Sequence, residues 1–353
     1  MALCVRDPTL PGAVLERALA EGQFPGAVAI FGTENAVSEP ICVGVRAVGG
    51  PATTADTRYD LASLTKVVST LPAILRLVAD GRLTLDDTVG QHIANAGWFQ
   101  SPTLATVTVR ELLAHTSGLA AWIPFYAHAS DRLTALGRVL QEPVTAAQRG
   151  GAPVYSDLGF IVLGALVERV TRERQDVYVQ REVFDRLGLT DTRYGPVPAP
   201  VAATEDCGWR NRVLSGEVHD ENCYRLDGVS GHAGLFGTAD DLARYARAWL
   251  TRDSRLGPPD LLDACTSTQS EGTGLRRGYG WLLRGVDSFG GNGATELGFG
   301  HTGFTGTSLW IDPGGGWFAV LLTNRVHPSR KGGEKIHAIR REFHDAVAGV
   351  VAG

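Results

Sequence analysis

Lysine is nearly absent from this chain. Of 33 Lys and Arg residues only three are lysines, Lys66, Lys331 and Lys335, so a plain positive charge is supplied by arginine throughout. Five cysteines (Cys4, Cys42, Cys207, Cys223, Cys265) are scattered and odd in number, which implies no disulfide framework. Around His219-Asp220-Glu221, Cys207, Cys223 and His232 no tight Cys/His spacing marks a metal site. No apolar run reaches the ~18 residues that a membrane span needs. Residues 1–7 lack a basic stretch followed by an apolar one, so no signal peptide is visible. Taken as written, the chain is expected in the cytoplasm; one trimmed of a leader would be periplasmic or extracellular and read the same. No basic stretch is interleaved with aromatics and the net charge is −5, which points away from nucleic acid. The sequence is silent on oligomeric state.

What is present is ordinary globular material, 44% hydrophobic and 20% charged over 353 residues, enough for a large core. Apolar spacing predicts an opening helix over 8–22, a strand hairpin at 26–31 and 41–45, and a long apolar helix that Ser63 opens and Gly81 stops. Pro72 inside that helix should kink or break it. The middle, about 82–230, is mostly short helices and loops and includes 109–115 and the strongly periodic 158–172. From about 275 the texture turns to strands, at 279–283, 300–306, 307–311 and 317–322, before a closing helix over 333–351.

The single early lysine stands in Ser63-Leu64-Thr65-Lys66. Arginine keeps its proton near neutral pH, whereas a buried lysine can release one. Residues i and i+3 share a helix face, so Lys66 is placed to act as a base beside a nucleophilic Ser63. Burial under the apolar stripe is expected to favour the neutral amine. A serine N-cap followed by a snorkelling lysine would leave the same pair, so the motif needs company.

Two further clusters supply it: Tyr155-Ser156-Asp157 and His301-Thr302-Gly303. With Ser63-Leu64-Thr65-Lys66 they resemble, in order, the three elements of the serine β-lactamase and penicillin-binding-protein superfamily, in its class C-like branch of esterases and DD-peptidases. The stretches 112–119 and 233–243 resemble framework segments of that branch, so the likeness covers most of the chain. It implies an α/β fold of α+β type: an antiparallel sheet flanked by N- and C-terminal helices, plus a helical domain. Residues 1–62 and 231–353 would form the sheet domain and 63–230 the helical one, with the site at their junction.

The resemblance also implies roles. Ser63 attacks, Lys66 takes its proton, and Tyr155 relays protons to the leaving group. Backbone N–H groups of Ser63 and Phe304 hold the oxyanion, with Gly303 letting backbone face the substrate. Asp157, His301, Thr302, Gly303 and His232 contact substrate, and no metal or organic cofactor is needed. Two positions depart from the antibiotic-degrading pattern. His301 stands where a lysine would hold a substrate carboxylate, and Asp157 where an asparagine would donate to an amide. Both favour neutral esters, amides or amine-bearing substrates over β-lactams. The implied activity is carboxylesterase-like hydrolysis of a small ester or amide through an acyl-enzyme. A D-Ala-D-Ala carboxypeptidase or penicillin-binding protein, a weak β-lactamase, an acyltransferase and a non-enzymatic acylated sensor are the alternatives. His115 is expected to hold a turn.

Overall fold

The structure, a computed structural model, describes residues 10–93, 101–272, 274–286 and 288–352. The opening segment 1–7, with Cys4, lies outside these residues. Among the described residues eight strands form one antiparallel sheet. Across it run Ile41–Gly44, Gly26–Thr33, Trp317–Thr323, Ser308–Asp312, Phe299–Thr302, Leu282–Leu283, Leu275–Arg277 and Ser270–Gly272. The first long strand therefore pairs with the last, Ala29 lying opposite Leu321. Period-two alternation sends Ala27, Ala29 and Phe31 to one face and Val28 and Ile30 to the other. On the first face the helices Leu10–Ala20 and Ile336–Ala352 bury Leu15, Phe343 and Val347. On the second lies the helix Ala239–Leu250, whose Leu242, Tyr245 and Ala246 join the larger core.

The expected strands are present with three corrections. The segment at 279–283 is strand only at Leu282–Leu283, because the N–H groups of Tyr279 and Gly280 donate to Cys265 and Leu113 outside the sheet. The short strands Ser270–Gly272, at the sheet's edge, and Leu275–Arg277, next to it, were not expected, since their polar sequences carry no alternation. The strand beginning near Gly300 stops at Thr302. Residues 303–306 are a turn closed by Gly306 N–H to the Gly303 carbonyl at 3.1 Å, so Phe304 sits in a turn rather than on a strand.

A helix over 64–79 begins directly after Ser63. It contains a π-turn over Lys66–Thr70 and then continues as the α-helix Leu71–Ala79. The π-turn is what Pro72 produces in place of a break. Leu71 N–H donates to the Lys66 carbonyl, and in that register the Val67 carbonyl faces Pro72, which has no N–H. The Tyr245 hydroxyl donates to Val67 instead. Gly81 follows the helix at φ +66, the left-handed stop that glycine allows. The helix Val109–Leu113 starts from a Thr108–Glu111 capping box. The helix Asp157–Thr171 starts from Ser156, whose Oγ accepts from Gly159 N–H at 3.1 Å. No helix of the described residues is long and apolar enough to cross a membrane.

Candidate active site

Ser63 lies at a strained turn. Ala62 before it has φ +47, a conformation that L side chains seldom adopt. Asp60 holds the turn, accepting from Ala62 N–H at 2.8 Å and from His219 N–H at 2.7 Å. The Thr305 and Thr307 hydroxyls donate to the carbonyls of Asp60 (2.7 Å) and Leu61 (3.1 Å). They clamp the 303–306 turn against the segment that carries Ser63. Among the described residues no acceptor meets the N–H of Ser63 or of Phe304. Both residues line one cavity of about 600 Å³, with Tyr155, Asp157, His232, His301 and Thr302. The residues singled out in the sequence therefore converge, Gly303 excepted.

Gly303 has a different reason from the one expected. A Cβ there would come within 2.1 Å of Thr307 Oγ1 and 2.5 Å of the Leu61 carbonyl. It faces the clamp behind the cavity, where only glycine fits.

Lys66 is fully buried, and its Nζ donates three hydrogen bonds: to Ser63 Oγ (2.9 Å), Asp157 Oδ1 (2.7 Å) and the His232 carbonyl (3.3 Å). Burial alone would favour the neutral amine, as the sequence suggested. The Asp157 carboxylate and the Tyr155 hydroxyl together outweigh it, and the amine's pKa is raised above its ordinary value. The resting pair is thus an ammonium held by a carboxylate, with all three donors used.

Tyr155 lies over this pair, its ring centroid 4.9 Å from Lys66 Nζ. His115 braces the turn. Its Nδ1 accepts from Ser156 N–H at 3.0 Å, and its ring packs 4.8 Å from that of Tyr155. Burial, with Arg277, Lys66 and His301 nearby, holds His115 well below the ordinary histidine range, so it is neutral. His301 is neutral too: burial first, then Lys66 and Arg277, depress it far below its usual value. Its Nδ1 donates to the Thr302 carbonyl at 2.8 Å. His232 lines the cavity with its ring fixed by Asp220 and Ser230, each at 2.9 Å. His219 bonds instead to Glu205 at 3.1 Å, and Cys223 Sγ to the Ala233 carbonyl at 3.2 Å. The polar residues of this wall are engaged pairwise, and the four cysteines of the described residues are free.

Sequence reasoning missed Arg277. Its guanidinium lies 5.0 Å from the Tyr155 ring centroid and lines the cavity. The residue is only 8% exposed, and its side chain has no hydrogen bond or ion pair among the described residues. Burial lowers its pKa, yet a guanidinium stays charged at neutral pH. Nothing local marks it: in Leu275-Arg276-Arg277, within an arginine-rich chain, neither arginine stands out.

The chain belongs to the beta-lactamase family, whose model matches residues 13–342. It is a serine hydrolase of that superfamily, of the kind that acts on an ester or amide through an acyl-enzyme. An N-acetylmuramyl-L-alanine amidase of Bacillus subtilis (strain 168) is 33% identical over 89% of this chain and 80% of its own. A putative D-alanyl-D-alanine carboxypeptidase of Escherichia coli (strain K12) is 32% identical over 78% of this chain and 70% of its own. In fold the chain is similar to the hydrolase EstCE1, described as having promiscuous acyltransferase activity. The TM-score is 0.78 at 23% identity, covering 97% of this chain and 98% of that one.

Proposed function

We propose that this chain hydrolyses an amide in a carboxylate-bearing peptide, with Ser63 as nucleophile, at the junction of the sheet domain (1–62 and 231–353) and the helical domain (63–230). The observation that carries this reading is Arg277, a buried cation that is unpaired among the described residues and lies in the same cavity as Ser63. It offsets the preference for neutral substrates that His301 alone suggests. Both relatives are named for amide bonds of alanine, N-acetylmuramyl-L-alanine in one and D-alanyl-D-alanine in the other.

In this mechanism Lys66 acts as base in the fraction of enzyme whose lysine–aspartate pair has lost its proton. It then takes the Ser63 hydroxyl proton across 2.9 Å as Oγ adds to the carbonyl. The N–H groups of Ser63 and Phe304 stabilise the tetrahedral oxyanion. Tyr155 passes a proton to the departing amine, and water attacks the acyl-enzyme by the reverse route. His232 supports the base through its carbonyl.

Arg277→Gln tests the substrate class, with N-acetyl-D-alanyl-D-alanine, its C-terminal amide and p-nitrophenyl acetate as substrates. A charge-assisted hydrogen bond is worth about 1.5–3 kcal/mol, or about 10- to 150-fold in binding. The variant is expected to lose that factor on the free acid alone. An equal loss on all three substrates would refute the assignment.

A further inference from the structure

Next to the cavity, four aromatic side chains form a continuous ridge. Trp122 lines the cavity. Ring centroids step from Trp122 to Tyr126 (6.3 Å), to Trp209 (5.1 Å) and to Tyr224 (5.8 Å). Trp122, Trp209 and Tyr224 are 45%, 42% and 36% exposed. Large aromatic side chains left open side by side mark a binding surface.

This ridge is built rather than loose. The Arg210 guanidinium lies 5.4 Å from the Trp209 ring and 4.2 Å from that of Tyr224. It also donates to the carbonyls of Val218 and His219. Arg225 lies 5.1 Å from the Trp209 ring and donates to the Tyr126 carbonyl at 3.1 Å. The Asn222 carboxamide accepts from Tyr126 N–H (3.0 Å) and donates to the Ile123 carbonyl (2.9 Å). The loop carrying Trp122 is joined as well to the Tyr155–Asp157 turn. Asp157 N–H donates to the Ala121 carbonyl at 2.9 Å, and Ser156 Oγ to that of Ala120 at 2.7 Å. Rings fixed in advance bind with little loss of conformational freedom.

We propose that the ridge is a saccharide subsite, holding the sugar of a glycosylated peptide whose scissile amide lies at Ser63. This rests on the reading of the pocket as an amide hydrolase. A pyranose presents a face of C–H groups and a rim of hydroxyls. Exposed aromatic rings bordered by Arg225 and the cavity-lining Glu221 match both parts. An aliphatic peptide side chain would call for a concave apolar pocket, whereas Trp122, Trp209 and Tyr224 stand exposed. Stacked nucleobases would call for a groove of free cations, whereas Arg210 and Arg225 beside the ridge donate to backbone carbonyls, and Asp157, Asp220 and Glu221 line the adjoining cavity alongside Arg277 and Arg330.

The test uses Trp209→Ala and Tyr224→Ala in the full chain, both checked for wild-type turnover of p-nitrophenyl acetate. Calorimetric titration with tri-N-acetylchitotriose should show saturable binding in the wild type, weakened about tenfold or more in each variant. With N-acetylmuramyl-L-alanyl-D-isoglutamine, KM should rise about tenfold while kcat holds. With N-acetyl-L-alanyl-D-isoglutamine, which lacks the sugar, KM should stay within about twofold. An equal rise for both peptides would mean the ridge holds peptide and would overturn the proposal, as would absence of saturable chitotriose binding. If neither peptide is cleaved, the amide-hydrolase reading fails by itself, and the titration still decides the ridge.

Discussion

Replacing Asp157 by Asn separates two effects of one carboxylate, on stability and on the base. Lys66 is fully buried, and the Asp157 side chain, 20% exposed, lies 2.7 Å from it. Removing one partner of such a pair leaves an uncompensated buried charge, at about 3–5 kcal/mol. The Asn carbonyl still accepts one hydrogen bond from Nζ, which restores about 1 kcal/mol, so the net loss at pH 7 is about 2–4 kcal/mol. At about 2.1 cal/mol/K of unfolding entropy per residue over 353 residues, Tm should fall by about 3–5 °C. The pH dependence has a definite sign. The folded-state pKa of Lys66 is raised above the unfolded value near 10.4. The pair's contribution is therefore whole below about pH 10 and is lost as pH climbs through the folded value. The gap between wild type and variant should be full at pH 7 and close in strongly alkaline buffer, as read by circular dichroism melts at both. In kinetics, wild-type kcat/KM for p-nitrophenyl acetate should rise toward alkaline pH, and the Asn variant's acid limb should move to lower pH. An unchanged Tm together with an unmoved limb would refute the ion-pair argument. A lowered Tm with an unmoved limb would show that Lys66 is structural and not the base.

Ser63→Ala should abolish turnover and any acyl adduct seen by intact-protein mass spectrometry after incubation with a penicillin, with Tm preserved; a persistent adduct there would place the nucleophile elsewhere. Gly303→Ala forces a methyl to within 2.1 Å of Thr307 Oγ1 and 2.5 Å of the Leu61 carbonyl, so stability should drop by about 1–3 kcal/mol. Because those groups position the Phe304 N–H, kcat should fall by about 10²-fold or more, measured on a small ester. Tyr245→Phe leaves the Val67 carbonyl of the π-turn without its donor and should lower stability by about 1–3 kcal/mol in denaturant titration.

Much of the frame was legible because its causes are local. The apolar runs in Gly26–Thr33 and Trp317–Thr323 and the Gly81 stop each arise from a few neighbouring residues. The turn at 303–306 was less legible, since Thr305 and Thr307 bond to Asp60 and Leu61 from the far end of the chain. Likewise the π-turn depends on Tyr245 as well as on Pro72.

The sequence by itself determined the nucleophile–lysine pair, because i and i+3 on one helix turn must face the same way whatever surrounds them. It also determined the order of the three motifs that mark the superfamily. Only the tertiary structure decided the charge of Lys66, since burial and a carboxylate from a distant turn act in opposite directions, and their balance depends on a 2.7 Å separation. It alone brought Arg277, from the strand next to the sheet's edge, beside Tyr155 and left it unpaired in the cavity among the described residues. It alone aligned Trp122, Tyr126, Trp209 and Tyr224 into one surface. Side chains drawn from distant segments become a site through chain packing, and no local spacing records that.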